Sequence, residues 1–227
     1  MKLVLWDIDH TLIATRGVGR ELFGECFEHI TGVRMERMAA VDGMTEPVIF
    51  RETARLHGIT SDRTMFEAFA RCSSERHRLR ADDLRERGHA LPGAAAALAS
   101  LALLEDFVQT VVTGNIRAVA ETKLAVFGLD TYIRFPYGGY GEDHDDRAYL
   151  VRTAIARTAN ALGHSVDTTD VLLIGDTPAD IAAARATGVA ALGVATGRST
   201  RDDLAKAGAT ETIPDLQHLD VLRTLLA

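Results

Sequence analysis

Short apolar runs alternate along most of this chain with longer stretches in which apolar residues recur at helical spacing. The short runs predict β-strands at residues 3–6, 107–112, 132–135, 171–174, 190–194 and 211–213. The longer stretches predict helices at about 93–104, 116–127, 148–162, 179–187, 201–207 and 216–226. Strands that alternate with helices form βαβ units. The pattern therefore predicts an α/β fold, with a Rossmann-like parallel sheet core and helices on both faces.

An all-helical insertion is predicted inside this alternation. No convincing strand occurs between residues 13 and 105, and the spacing there predicts helices at 18–31, 46–57 and 61–87. The first strand belongs with the later ones, and Leu91-Pro92-Gly93 marks the return to them. We expect an α/β core of residues 1–14 and 90–227, and a helical domain of residues 15–89.

Composition narrows the class of protein. The chain of 227 residues is 47% hydrophobic and 25% charged, as in ordinary soluble globular proteins. It has no apolar stretch near the ~20 residues of a membrane span and no targeting leader, so we expect no membrane partner and a cytoplasmic location. The net charge of −7 argues against a nucleic-acid partner. Cys26 and Cys72 lack metal-ligand spacing and are expected to be packed thiols in a reducing cytoplasm.

Two carboxylates, Asp7 and Asp9, directly follow the first predicted strand. A buried parallel strand delivers the residues after it to the carboxyl edge of the sheet, where open α/β folds bind their ligands. Two carboxylates placed there resist ionising unless a cation lies between them. The pair therefore indicates a metal site with a reactive carboxylate, although many Asp-x-Asp triplets are solvated turns or helix caps.

Two later strand ends carry further candidates. Thr113-Gly114-Asn115 leads into a helix, where a hydroxyl and freed N–H groups suit a phosphate; a plain helix cap by Thr113 or Asn115 is the alternative. Asp176 ends another strand and is a hard oxygen ligand suited to Mg²⁺. Asp180, four residues on, is expected to bind the metal through water or to orient its ligands, unless the helix dipole alone explains it.

Arg147 opens a predicted helix, where a cation is unfavourable to the helix dipole unless an anion faces it. The acidic residues among 142–146 offer a structural alternative, because Arg147 can pair with several of them.

In this order the segments resemble the four motifs of the haloacid dehalogenase superfamily, and the resemblance covers the whole chain. The motifs are Asp7-x-Asp9-x-Thr11, then Thr113, a basic residue, and Gly175-Asp176-x-x-x-Asp180. The helical insert looks like the cap domain of the phosphoglycolate-phosphatase-like and phosphoglucomutase-like branch. The ordered combination is much more specific than any single motif.

The resemblance implies how these residues would work. Asp7 would be the nucleophile that forms an aspartyl-phosphate, and Asp9 would protonate the leaving alcohol and then activate water. Mg²⁺ would be held by Asp7, the backbone carbonyl of Asp9, and Asp176. Thr11 is expected to bond the backbone of its own loop.

The implied phosphate clamp consists of Thr113, the Gly114 N–H, Asn115 and Arg147. Two positions depart from the family pattern. His10 stands where the family usually has Gly, and it either caps the loop, since His tolerates unusual turn geometry, or touches the substrate. The usual motif-three Lys is absent, and Arg147 fits its spacing better than Lys123, which is expected to be an exposed helix residue or one that acts behind the site.

Lysine usage separates the reaction classes that the resemblance leaves open. The three lysines are Lys2, Lys123 and Lys206, so the cap has none. A phosphonate-cleaving relative would need a cap lysine, a sugar phosphomutase typically uses a cap His–Lys pair, and dehalogenases lack the second Asp. We therefore expect Mg²⁺-dependent hydrolysis of a small phosphorylated metabolite through an aspartyl-phosphate. A phosphate-binding or regulatory module without turnover is the alternative, and a phosphomutase is a weaker one.

Substrate choice is expected to depend on the cap, which closes over the site. Gly43-Met44-Thr45 resembles the family's cap loop that faces the active site, so Thr45 is the candidate for binding substrate, with Arg51 behind it. Ordinary helix capping and surface charge are the alternatives for these two residues. Apolar cap surface is compatible with a monomer or a homodimer.

Overall fold

A computed structural model describes residues 1–225. The strands are β1 (Lys2–Trp6), β2 (Ile13–Ala14), β3 (His89–Ala90), β4 (Phe107–Val111), β5 (Val171–Gly175), β6 (Ala190–Val194) and β7 (Glu211–Ile213). The helices are α1 (Val18–Thr31), α2 (Glu46–Leu56), α3 (Arg63–Leu79), α4 (Ala81–Arg87), α5 (Ala94–Ala102), α6 (Arg117–Val126), α7 (Arg147–Leu162), α8 (Pro178–Thr187), α9 (Arg201–Ala207) and α10 (Leu219–Leu225).

A five-stranded sheet of order β4-β1-β5-β6-β7 forms the centre of the core, and its neighbouring strands are parallel. Trp6 of β1 pairs with Val111 of β4 on one side and with Ile174 of β5 on the other. The three strands therefore end at nearly the same level. The residues that follow them reach one edge of the sheet, which is where parallel α/β sheets bind ligands.

Helices cover both faces of this sheet, which confirms the predicted fold class. Val4 and Trp6 of β1 belong to an apolar core shared with α5, α6 and α10, whereas Leu3 and Leu5 belong to a second core shared with α7, α8 and α9. Because β1 is buried on both faces, its sequence is a continuous apolar run instead of an alternating one.

The helical segment between residues 15 and 89 has its own apolar cluster, centred on Phe23, Phe27, Phe50 and Phe69. The rings of Phe23 and Phe69 lie 4.7 Å apart between centroids. The chain enters and leaves this segment through the antiparallel pair of β2 and β3. A separate core joined to the sheet by two adjacent strands allows the segment to move as a unit.

Two expectations for the helical segment are corrected. The predicted helix at 61–87 is divided into α3 and α4, which meet at Arg80. Cys26 of α1 and Cys72 of α3 form a disulfide, so the expectation of two packed thiols is wrong. Their Cα atoms lie 5.7 Å apart, within the range that a disulfide spans. Sequence spacing alone cannot reveal this pairing, because the packing of α1 on α3 creates it.

The strand predicted at 132–135 is also wrong. The structure has 3-10 helices at Asp130–Tyr132 and Phe135–Tyr137 instead. Pro136 has no N–H to donate to a ladder, and the segment follows the β4 edge through isolated bonds such as Arg134 N to Gln109 O, at 2.8 Å. The predicted final helix begins later, at Leu219, and residue 226 lies outside the described residues. Within residues 1–225, no helix has the length and apolar character needed to cross a membrane.

Candidate active site

Three carboxylates meet at the carboxyl edge of the sheet. Asp7 follows β1 and its N–H donates to Ile174 O at 2.9 Å, so it continues the ladder beyond the strand. Asp176 follows β5, and Asp180 lies in the first turn of α8. One oxygen from each of the three lies within 4.8 Å of the others, and all three residues are buried.

Asp180 is fixed by a capping box at the start of α8. Its Oδ2 accepts hydrogen bonds from the Thr177 hydroxyl at 2.6 Å and from the Thr177 N–H at 3.0 Å. A Cβ at Gly175 would lie 2.4 Å from the Asp180 carboxyl carbon, so glycine is required for this approach. The other oxygen, Oδ1, is buried and lies 2.6 Å from Arg147 Nε, an ion pair without the alignment of a hydrogen bond.

The cluster holds more negative charge than its surroundings offset. Burial raises the pKa of Asp7 to about 7, although Arg147 acts in the opposite direction. Burial, with the charges of Asp7 and Asp180, raises the pKa of Asp176 to about 8. Carboxyl groups perturbed in this way ionise readily only if further positive charge is supplied.

Thr11 lies between two of these carboxylates. Its hydroxyl is fully buried and lies 3.2 Å from Asp7 Oδ2 and 3.3 Å from Asp176 Oδ1. The expectation that the Thr11 side chain bonds its own loop's backbone is therefore wrong. The hydroxyl has one proton and can donate to only one of the two at a time, so it links their protonation and their positions.

Arg147 places its guanidinium against the same cluster. Nη2 lies 2.5 Å from Asp7 Oδ1, and Nε lies 2.6 Å from Asp180 Oδ1. Among the described ion pairs, Arg147 does not pair with its neighbouring acidic residues. Asp146 instead accepts a hydrogen bond from the Ala148 N–H as the N-cap of α7. Arg147, at the start of α7, therefore faces anions, as expected for a cation that the helix dipole would otherwise disfavour.

Asp9 has a separate cation. Lys123 Nζ donates to Asp9 Oδ1 at 2.9 Å and to Oδ2 at 2.7 Å, and it also donates to Asn115 Oδ1 at 2.7 Å. Burial alone would raise the pKa of Asp9, but the charge and hydrogen bond of Lys123, with a hydrogen bond from Asn115, hold that pKa below its usual value. Lys123 is only 5% exposed and contacts Asp9 directly. The expectation of an exposed residue is wrong, whereas that of a residue acting on the site from behind agrees with this contact to Asp9.

Asn115 orders the residues around Asp9. Its amide nitrogen donates to Asp9 Oδ2 at 2.7 Å and to Thr113 Oγ1 at 2.8 Å. Since its carbonyl oxygen accepts from Lys123, the side chain is already engaged with its neighbours. The Thr113 hydroxyl accepts from Asn115, so its own proton remains available to donate into the site.

The N-terminus of α6 differs from the expected phosphate site. The Ile116 N–H donates to Glu46 at 2.9 Å and the Arg117 N–H donates to Glu142 at 2.9 Å. These carboxylates occupy the donors that were expected to be free for an anion. In the described chain, the Gly114 N–H donates to no protein acceptor. A Cβ at Gly114 would lie 2.2 Å from Met44 O, so the helical segment rests directly on this residue.

A cavity of about 700 Å³ opens over these groups, between the core and the helical segment. Its core lining includes Asp7, Asp9, Thr113, Lys123 and Arg147, and its helical-segment lining includes Phe23, Met44, Glu46, Ile49 and His77.

Thr45 and Arg51 have other positions than expected, whereas His10 has the expected backbone geometry. Thr45 precedes α2 with a buried, unpaired hydroxyl, but its side chain is not among the groups that line the cavity. Arg51 pairs with Asp145 at 2.9 Å on the surface. His10 has φ 63°, the left-handed geometry expected where the family has Gly, and it lies at the rim of the cavity.

Two lining residues were missed by the sequence analysis. Burial raises the pKa of Glu46 to about 7 despite its hydrogen bond from Ile116. Glu46 directly follows the Gly43-Met44-Thr45 loop, so the resemblance that identified this loop could also have indicated Glu46. His77 lies in the predicted helix at 61–87, and only the four-residue series Phe69, Ser73 and His77 indicated that its side chain shares a buried face.

The parallel sheet, the carboxylates at its carboxyl edge and the helical segment above them define a class: an α/β enzyme whose reacting groups lie beyond the strand ends. The chain belongs to the haloacid dehalogenase-like hydrolase family, whose model matches residues 4–185. It is therefore a hydrolase. A search of curated proteins gave no match.

Solved structures share this fold. A hydrolase from Pseudomonas syringae is similar, with a TM-score of 0.68 and 20% identity over 98% of this chain and 99% of that one. A protein described as a predicted phosphoglycolate phosphatase, from Haemophilus somnus, has a TM-score of 0.67 and 15% identity over 99% and 97%. A protein provisionally named a β-phosphoglucomutase, from Bacteroides vulgatus, has a TM-score of 0.66 and 16% identity over 100% and 90%. At these identities the likeness concerns the fold alone.

Proposed function

We propose that the chain is a Mg²⁺-dependent phosphatase that hydrolyses a small phosphorylated metabolite through an aspartyl-phosphate. The observation that carries the proposal is the division of the site into two carboxylate groups. Asp7, Asp176 and Asp180 form one buried cluster, and Asp9 lies apart with its own lysine. A nucleophile and an acid/base need such different environments.

Asp7 is the nucleophile in this proposal. Its carboxylate attacks phosphorus, the bond from phosphorus to the leaving oxygen breaks, and an aspartyl-phosphate forms. Arg147, 2.5 Å from Asp7, is positioned to stabilise the charge on the transferring oxygens. The Thr113 hydroxyl and the Gly114 N–H are the donors that face the same region.

Asp9 moves the proton. In the second step a water attacks phosphorus and gives its proton to a carboxylate, and the phosphate leaves Asp7. Lys123 keeps the pKa of Asp9 low, so Asp9 is ready as a base for this step. For the first step it must bind a proton before the alcohol leaves, and Lys123 opposes that protonation. The hydrogen bonds of Asn115 hold the carboxylate in place for both steps.

The residues at the sheet edge fit a hard divalent cation. They offer three buried carboxylates with oxygens within 4.8 Å of one another, which are hard ligands suited to such an ion. Asp7 and Asp176 would hold Mg²⁺ directly, with the backbone carbonyl of Asp9, and Asp180 would complete or orient the set. When bound, Mg²⁺ supplies positive charge that eases the approach of a phosphate to Asp7. The Thr11 hydroxyl would help to keep Asp7 and Asp176 in place.

Residues 15–89 act as the cap in this proposal, and residues 1–14 and 90–227 as the catalytic core. Met44 O lies against Gly114, and the Glu46 N–H donates to Gly114 O at 2.8 Å. These contacts hold the cap over Thr113 and Asn115. A cap in this position excludes water from the reacting groups.

The test is phosphate release from p-nitrophenyl phosphate by the parent and by Asp7→Asn, with and without Mg²⁺. We expect Mg²⁺-dependent turnover in the parent and a loss of at least 10³-fold in Asp7→Asn, because a carboxamide is a poor nucleophile. Asp202→Asn, at an exposed site on α9, is the matched control and should retain parental activity. Turnover that persists in Asp7→Asn would contradict the nucleophile assignment. No turnover in the parent across a panel of phosphorylated metabolites would favour a binding module.

A further inference from the structure

One buried group in the cavity is not used by the proposed chemistry. His77 lies near the end of α3 and is only 2% exposed, and it lines the same cavity as Asp9 and Lys123. Its Nε2 atom is buried and has no hydrogen-bond partner in the described protein. Buried polar atoms normally have partners, so an unpaired nitrogen on a side chain that lines the cavity indicates a partner supplied from within that cavity.

The hydrogen-bonding role of Nε2 follows from the other ring nitrogen. Nδ1 lies 2.8 Å from the Ser73 carbonyl oxygen, which can only accept. Nδ1 therefore carries the proton, and in the neutral ring Nε2 is an acceptor. Burial, followed by the charge of Lys123, lowers the pKa of His77 to about 4, so the ring is neutral near pH 7. Whatever pairs with Nε2 must bring a donor.

The protein does not supply that donor from the facing elements. Lys123, on α6, is the nearest cation that acts on His77, and its ammonium already makes three contacts, two with Asp9 and one with Asn115. An ammonium has three N–H donors, so none remains for His77. Asp9, the other charged group that acts on the ring, is an acceptor when ionised.

We propose that His77 is a specificity residue of the cap, and that its Nε2 accepts a hydrogen bond from a hydroxyl group on the alcohol part of the substrate. The proposal rests on the proposed phosphatase function, and it narrows the substrate class to hydroxylated phosphomonoesters, such as polyol phosphates. A hydroxyl is favoured over an ammonium because the positive charge of Lys123, which lines the same cavity, already acts on His77.

The test compares substrates that differ only in their hydroxyl groups. Glycerol 3-phosphate and n-propyl phosphate share a chain length, and p-nitrophenyl phosphate reports the chemistry itself. We expect the parent to prefer glycerol 3-phosphate by roughly tenfold or more in kcat/KM, since an unpaired buried acceptor disfavours the analogue. His77→Leu should remove this preference by lowering kcat/KM for glycerol 3-phosphate alone. The other two substrates should stay within about twofold of the parent.

Two further variants separate recognition from structure. In His77→Gln, an amide oxygen near the position of Nε2 can accept the same bond, so part of the preference should return. His29→Leu, an exposed histidine of the same cap, should leave all three rates unchanged.

Equal losses on every substrate in His77→Leu, or no loss on any, would overturn the proposal. A parent that prefers 3-aminopropyl phosphate over glycerol 3-phosphate would overturn the choice of a hydroxyl. A parent that turns over p-nitrophenyl phosphate but does not distinguish the alkyl pair would refute the role of His77 and leave the phosphatase function standing. Absence of any turnover would refute both.

Discussion

Mg²⁺ binding should depend steeply on pH, because the carboxyl groups that would hold the ion have raised pKa values. Asp7 and Asp176 have pKa values of about 7 and about 8. Each must lose its proton before the ion binds, so binding releases protons. Lowering the pH from 7.5 to 5.5 protonates both carboxyl groups, and this weakens the apparent affinity for Mg²⁺ by roughly 10³-fold.

The sign of the stability effect follows from the same shifts. Without the ion, the folded protein binds more protons than the unfolded chain between pH values near 4 and 8, because both folded pKa values are raised. The free energy of unfolding therefore decreases as pH rises through this window. Mg²⁺ should offset this loss only at the upper end of the window.

The assay is thermal unfolding at pH 7.5 and pH 5.5, with Mg²⁺ at about 100 times its Kd measured at pH 7.5. This concentration contributes about 2.7 kcal/mol, which raises Tm by roughly 5–10 °C for a chain of this size. At pH 5.5 the same concentration lies below Kd, and the rise in Tm should fall below about 1 °C. Asp176→Asn should lose the rise at pH 7.5, whereas Asp202→Asn should keep it. An equal rise in Tm at both pH values, or none at either, would contradict Mg²⁺ binding to carboxyl groups with these raised pKa values.

Two other predictions concern groups that the structure revealed. Lys123→Met leaves Asp9 without its cation, which raises the pKa of Asp9. The acid limb of the pH profile for hydrolysis of the aspartyl-phosphate, the step in which Asp9 is the proposed base, should therefore move to higher pH, and the maximum should fall by about 10² or more; Lys206→Met is the exposed control, and an unmoved limb would contradict the pairing. Cys26→Ser opens a 46-residue loop, and the loop entropy should lower the free energy of unfolding by up to about 4 kcal/mol in denaturant titrations without reductant. Reductant should destabilise the parent and leave the variant unchanged, and a parent that is insensitive to reductant would contradict the disulfide.

The fold was predictable because its signals are local. Each parallel strand buried on both faces forms a short apolar run, and each covering helix repeats its apolar face along its own length. The strand predicted at 132–135 does not form, and the cause is a residue that follows the predicted strand. Its apolar residues pack against the core, but Pro136 interrupts the backbone bonding along the edge of β4.

The site was predictable only as far as strand ends identify it. Asp7, Thr113 and Asp176 follow strands, and the sheet brings them together whatever else the chain does. Lys123 reaches the site from the middle of a helix, 114 residues from Asp9. A signal for it existed, since Lys123 falls on the same buried face of α6 as Val119 and Ala120, where an unpaired lysine would be costly. The Cys26–Cys72 bond had no comparable signal, because the packing of α1 on α3 in the helical segment determines it.

The charges of the assembled site explain how an acidic protein can receive an anion. Four carboxylates, those of Asp7, Asp9, Asp176 and Asp180, face two cations, Lys123 and Arg147. When all are ionised, two negative charges remain, which is the charge that one divalent cation neutralises. With that ion bound, a phosphate meets a neutral site in which both cations already point at the reacting carboxylates. Without it, the raised pKa values of Asp7 and Asp176, about 7 and about 8, favour the protonated forms below those pH values, so the proposed nucleophile would be masked there. The same ion would therefore both admit the phosphate and expose the group that attacks it.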